Sequence, residues 1–120
     1  MLDLEQYLTR QMVFSKATFG PGFRTAAILN HISEEIDRIQ GAQGTSDYVD
    51  ECADLVILSL DLLTRAIWTN SNYRRPADVA ARAACDTLFV KQQRNELRDW
   101  PDWRGAFADT SDEPVRGEHD

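Results

Sequence analysis

The chain is poor in cysteine: Cys52 and Cys85 are its only two, and they form no CxxC pair. Both lie within apolar helical patterns, so two reduced thiols are expected rather than a disulfide framework or a zinc site. Long apolar runs are missing too. The best, residues 55–63, is interrupted by Ser59 and Asp61 and is too short to span a bilayer. The N-terminal MLDLEQYLTRQ has neither the basic n-region nor the apolar core of a signal peptide. Basic charge is the minority sign, with 13 Lys and Arg against 20 Asp and Glu for a net charge of −7. No basic patch stands out, which excludes nucleic acid and anionic membrane as expected partners. The chain has no internal repeat. These absences point to a cytoplasmic protein.

What is present suits one globular domain. The 120 residues are 42% hydrophobic and 28% charged, enough for one core and too few for two ordinary ones. Residues 2–13 carry Leu4, Tyr7, Leu8, Met12 and Val13 near helical spacing, with Asp3 placed to cap. Residues 14–22 (FSKATFGPG) read as a loop, because Gly20, Pro21 and Gly22 oppose regular structure. Phe14, Phe19 and Phe23 around it are core anchors or a platform for a flat ligand, and the burial preference of Phe favours the core. A helix is expected over residues 23–40 from Ala27, Ile28, Ile32, Ile36 and Ile39, with stop signals at Gly41 and Gly44.

Chemistry concentrates in residues 31–61. HISEEIDRIQ carries Glu34 and Glu35, the GAQGTS break follows, and DYVDECADLVILSLD carries Asp47, Glu51, Asp54 and Asp61. Asp47, Glu51, Asp54, Leu58 and Asp61 recur at helical spacing and form one stripe, acidic except at Leu58. The other faces of this segment are apolar, as expected for a buried helix. Buried carboxylates cost several kcal/mol each unless paired or bound to a cation. Two readings stand on spacing alone: an oxygen-only site for magnesium or manganese, or an acidic face turned to water. A tight connection at residues 41–46 would fold the two segments into an antiparallel hairpin and bring Glu34 and Glu35 towards Glu51 and Asp54. His31, one turn before Glu35, can help position that carboxylate.

Beyond Arg65 the polar TNSNYRRP favours a turn at residues 70–72, with Pro76 opening the next helix. Residues 77–98 contain no Gly or Pro. Lys91, Asn95 and Arg98 share one face there: a stripe suited to a polyphosphate, or an ordinary solvated face. Pro101 breaks the helix within DWPDWRGAF. Residues 109–120 hold five acids against one Arg and almost no apolar side chain, so a disordered tail is expected.

Taken together, four segments resemble an all-α nucleotide pyrophosphohydrolase of the MazG-like superfamily. The likeness is closest to the small dATP/dGTP pyrophosphohydrolases (MazZ-like). The segments are ATFGPGFRT at 17–25, LNHISEEIDRI at 29–39, DECADLVILSLDLLTRA at 50–66 and VKQQRNELRDWPDW at 90–103, in the family's order. The superfamily pattern is EExxE followed by ExxD. Glu34 and Glu35 match its opening, and Glu51 and Asp54 its second half. Arg38 stands where the family has a third Glu, and a guanidinium has no acceptor to offer a metal. It can pair with Glu34 one turn back or reach a phosphate oxygen. Asp37 points about 100° away from that face.

The resemblance implies a four-to-five-helix oligomeric bundle over residues 1–104, followed by an acidic tail over 105–120. It implies hydrolysis of a purine (deoxy)nucleoside triphosphate, dGTP or dATP, to the monophosphate and pyrophosphate, with Mg²⁺ as cofactor and Mn²⁺ as substitute. Glu35, Glu51 and Asp54 would hold at least one ion, with Glu34 as a further ligand or the base that orients water. Lys91, Asn95, Arg98 and Arg24 would contact the triphosphate, Lys91 also acting in catalysis. His31 and Asp61 would complete the substrate contacts, Asp61 from behind the ligands or against the sugar. A homodimer or homotetramer is expected, because a small bundle cannot cover the apolar surface of residues 55–63 alone. Two other readings are a nucleotide-binding protein of the same fold that lost turnover through Arg38, and a structural helical interaction protein.

Overall fold

The computed structural model describes residues 3–102, and all secondary structure among them is helical: α1 (Leu4–Phe19), α2 (Thr25–Ala42), α3 (Tyr48–Asn70) and α4 (Ala77–Leu97). The described residues divide into two compact units, one up to Asp86 and one from Thr87, so that the boundary falls inside α4. The expected tail at 105–120 and the 104/105 boundary lie outside the described residues. No helix among the described residues is long and apolar enough to cross a membrane.

Asp3 caps α1 by accepting from the Gln6 N–H while Gln6 returns a bond to the Asp3 backbone N–H, so two otherwise orphaned donors are satisfied. The helix runs further than its sequence suggested. Residues 14–19, expected in a loop, are its last turns, because FSKATF contains no breaker and chain reversal waits for Gly20 at φ 81°. Pro76 directly precedes α4, and its carbonyl accepts from the Ala80 N–H.

In the first unit α3 packs against both α2 and α1. One core cluster joins Leu8 to Ala81 and Ala84, with Tyr7, Leu60, Leu63, Ile67 and Cys85 against it. A neighbouring one joins Met12, Trp68 and Ala80. The alanines let backbone approach backbone where larger side chains would hold the helices apart. Two expectations fail here. Phe14, Phe19 and Phe23 are not core anchors but are more than half exposed, at 62%, 51% and 72%. Nor is α3 buried around its apolar faces: Val49, Val56 and Ile57 lie open. The hydrophobic pattern exceeds what four helices of one chain can cover.

A single side chain joins the α1–α2 connection to α3. Arg65 is 2% exposed; its Nη1 donates to the carbonyls of Gly20 (2.9 Å) and Gly22 (3.1 Å), and its Nη2 to Ser15 Oγ (2.7 Å). Burial pushes its pKa down against the nearby charge of Asp61, yet a guanidinium starts so high that the charge persists. Removing it strands three acceptors. Arg65→Met should cost about 2–3 kcal/mol in urea unfolding, and Arg65→Lys should recover only part, since an ammonium cannot reproduce the planar fork. An unchanged midpoint for Arg65→Met would contradict the staple.

Candidate functional site

The α2–α3 hairpin closes through a short turn in which the Thr45 N–H donates to the Ala42 carbonyl. Helix periodicity then puts His31, Glu34, Glu35 and Arg38 of α2 in line with Asp54 and Leu58 of α3, and these six line an open cleft of about 310 Å³. Glu35, Glu51 and Asp54 each offer a carboxylate oxygen, and the three oxygens lie within 4.8 Å of one another. Glu35 is 2% exposed, Glu51 half-buried and Asp54 exposed.

Arg38 partly neutralises this cluster. Its Nη1 donates to Glu35 Oε2 at 3.1 Å, and its Nη2 stands 3.6 Å from Glu34 Oε2. These contacts raise the guanidinium pKa further, the bond to Glu35 first. The neutralisation is incomplete: Glu35 Oε1 and Glu51 Oε2 are shielded from solvent with no donor to either. Glu51's carboxyl is pushed above its ordinary range, chiefly by its approach to Glu35, with which it can share a proton, then by desolvation and the charges of Glu35 and Asp54. Oxygens that lack donors and repel one another could hold a hard divalent cation.

The other expected site residues are distributed more widely. Glu34 lines the cleft beside His31 but is not one of the three clustered carboxylates. Asp47 immediately precedes α3 and makes no side-chain cap bond. Asp61 is buried, with Oδ1 unpartnered, one turn before Arg65. Lys91, Asn95 and Arg98 belong to the second unit. There Lys91 is exposed, and the Asn95 carbonyl accepts from the Trp100 indole N–H and the Arg98 N–H.

Arg24 lies in a second pocket of about 180 Å³, lined by Phe23, Arg24, Thr25, Leu62, Arg65 and Thr69 among others. Its guanidinium stacks on the Phe19 ring, 3.8 Å from the centroid. The sequence reading assigned Arg65 no role, and of this pocket it singled out only Phe23 and Arg24. The signal was an arginine inside the apolar run of α3, four residues after Asp61.

The cluster makes a pH dependence of definite sign. Glu51 in the fold holds its proton to higher pH than in the unfolded chain, so its contribution to stability is full below the ordinary value of 4.5 and is lost as pH rises through the higher folded value. In chelator, Glu51→Gln should therefore gain melting temperature over the native chain as pH rises from about 4.5 towards neutrality. Mn²⁺ should stabilise the native chain and not the variant. Parallel melting curves for the two proteins across that range would refute the shared-proton arrangement.

No curated protein and no solved structure matches the chain. A family model described as dATP/dGTP pyrophosphohydrolase matches residues 8–115, which takes in α2, α3 and the whole acidic cleft. The chain belongs to the dATP/dGTP pyrophosphohydrolase family.

Proposed function

We propose that the protein hydrolyses dGTP or dATP to the deoxynucleoside monophosphate and pyrophosphate at the Glu35–Glu51–Asp54 cluster, with Mg²⁺ as cofactor and Mn²⁺ as its substitute. The observation that carries this is the gathering of three carboxylate oxygens within 4.8 Å, in a chain of this family. Glu35, Glu51 and Asp54 are the residues that would hold the ion. A bound divalent cation supplies charge neutralisation to the phosphoryl oxygens and lowers the pKa of water.

The chain's own side chains do the rest. Glu34, exposed at the cleft edge, orients the attacking water and takes its proton as the oxygen bonds to phosphorus. The bridge between the α- and β-phosphates breaks, and pyrophosphate leaves with the electron pair. Arg38 offers donors to a phosphate oxygen from the cleft wall, where its long stem is more than half exposed. Arg24, His31 and Asp61 are proposed as substrate contacts. Positioning and charge matching carry phosphoryl transfer of this kind, without a covalent intermediate on the protein.

A second reading has support in one contact. Arg38 pairs with Glu34 and Glu35, two of the carboxylates that the proposed chemistry requires. A nucleotide-binding protein with little turnover would look the same. Pyrophosphate release from a panel of NTPs and dNTPs decides between them. The enzyme reading expects Mg²⁺-dependent release from dGTP or dATP, lost in chelator and reduced about 10²-fold or more by Glu51→Gln. It also expects R38E to bring no gain over the native rate. A silent native chain with a large gain in R38E would establish the binding-protein reading instead.

The oligomeric reading rests on exposed apolar side chains, Val13 and Phe14 on α1 and Val49, Val56 and Ile57 on α3. We propose that a second copy of the chain covers them, in a homodimer or homotetramer. Sedimentation equilibrium at micromolar concentration should give at least twice the chain mass. A stable monomer would refute it.

A further inference from the structure

The pocket beside Arg24 and Arg65 and the acidic cleft are both lined by side chains of the α2 and α3 segments. On α3 the cleft ends at Leu58, and Leu62, Arg65, Ala66 and Thr69 continue that face at spacings of four, seven, eight and eleven. On α2 the cleft begins at His31, and Arg24 lies two turns earlier on the matching face. From Asp54 to Leu62 the helix rises about 12 Å, a span that an extended nucleoside triphosphate matches.

Each of the pocket's two guanidinium groups keeps one nitrogen without an acceptor. Arg65 is 2% exposed and lines the pocket, with three bonds to the connection and Ser15 but none to Nε. Arg24 holds its guanidinium against Phe19 with a shielded, unpartnered Nη1. Around these lie apolar walls from Leu62 and Ala66, and the Phe23 ring, 72% exposed, at the same pocket. Apolar walls, an open aromatic face and a few convergent donors suit a flat heterocycle better than a naked anion.

We propose that this pocket is the nucleobase subsite and that its guanidinium donors select guanine over adenine. The inference rests on the nucleotide reading above and adds the base. Guanine presents two adjacent acceptors, O6 and N7, along one edge, the pair that arginine recognises most often. Adenine places its N6 amino donor where O6 would be, so a donor would meet a donor.

The test uses the full chain with dGMP and dAMP in chelator, by calorimetry, so that neither turnover nor metal is needed. The native protein should bind dGMP about tenfold or more tighter than dAMP. Arg24→Met should erase most of that ratio. Ala66→Leu, which fills the pocket without touching a donor, should weaken both monophosphates while Mn²⁺ binding stays as in the native chain. Equal affinities for dGMP and dAMP would overturn the selection. Native-like nucleotide binding by Ala66→Leu would overturn the pocket itself. If the chain hydrolyses dGTP but Ala66→Leu leaves its KM unchanged, the inference falls and the activity stands. If no triphosphate is hydrolysed but dGMP binds and Ala66→Leu abolishes it, the activity falls and the pocket stands.

Discussion

Mutual repulsion among Glu35, Glu51 and Asp54 is the constraint around which the hairpin is arranged. Three carboxylate oxygens within 4.8 Å, one of them on Glu35 at 2% exposure, oppose the packing that gathers them. Nothing in the local sequence forces this meeting, since each acid alone would be content at a solvated surface. It is imposed by α2 packing on α3, and by the face that helical spacing assigns to each acid. Packing of the hairpin supplies the energy that holds the acids together. The cluster returns that energy as affinity for whatever cation or proton relieves it.

Arg38 sets how much relief the chain provides by itself. A guanidinium 3.1 Å from Glu35 and 3.6 Å from Glu34 compensates one side of the cluster and leaves Glu35 Oε1 and Glu51 Oε2 without donors. An acid at that position would add negative charge and raise the demand for metal. An arginine lowers it and keeps a fixed cation in the same cleft. Because the side chain is more than half exposed, its pairs are weakly held and salt-sensitive. In the proposed reaction it would exchange a carboxylate for a phosphate oxygen without a change in the fold.

Much of the fold could be read from residue types. Asp3 as a cap, Pro76 before α4, the Gly44 turn and the helix through 77–97 follow from local chemistry, which is strongest at helix ends. Glu35, Glu51 and Asp54 were legible because three positions on two expected helices needed only the hairpin to meet, whereas Glu34 stays outside their cluster. What failed was whatever depends on distant partners. The last turns of α1 were assigned to a loop because three phenylalanines and a GPG dominate that stretch, although only the glycines and proline break a helix. The same phenylalanines were placed in the core by their ordinary preference, yet the first unit fills its core with Leu8, Met12, Trp68 and small alanines. Arg65 gave no motif at all, since its partners are backbone carbonyls 43 and 45 residues away.

That buried arginine also explains why the α1–α2 connection can be glycine-rich and still hold shape. Gly20 and Gly22 both take positive φ, at 81° and 107°, and such a segment would ordinarily be mobile. Nη1 of Arg65 grips the carbonyls of both, and so fixes where Phe23 and Arg24 enter α2. The acidic cleft and the arginine pocket are therefore ordered by different means. At the acid end, charges are forced together by helix packing and remain adjustable by pH and cations. At the arginine end, the backbone is fixed by directional bonds from one charged group that keeps its proton. The proposed nucleotide site would use both: an end that responds to a metal, and an end rigid enough to discriminate shape.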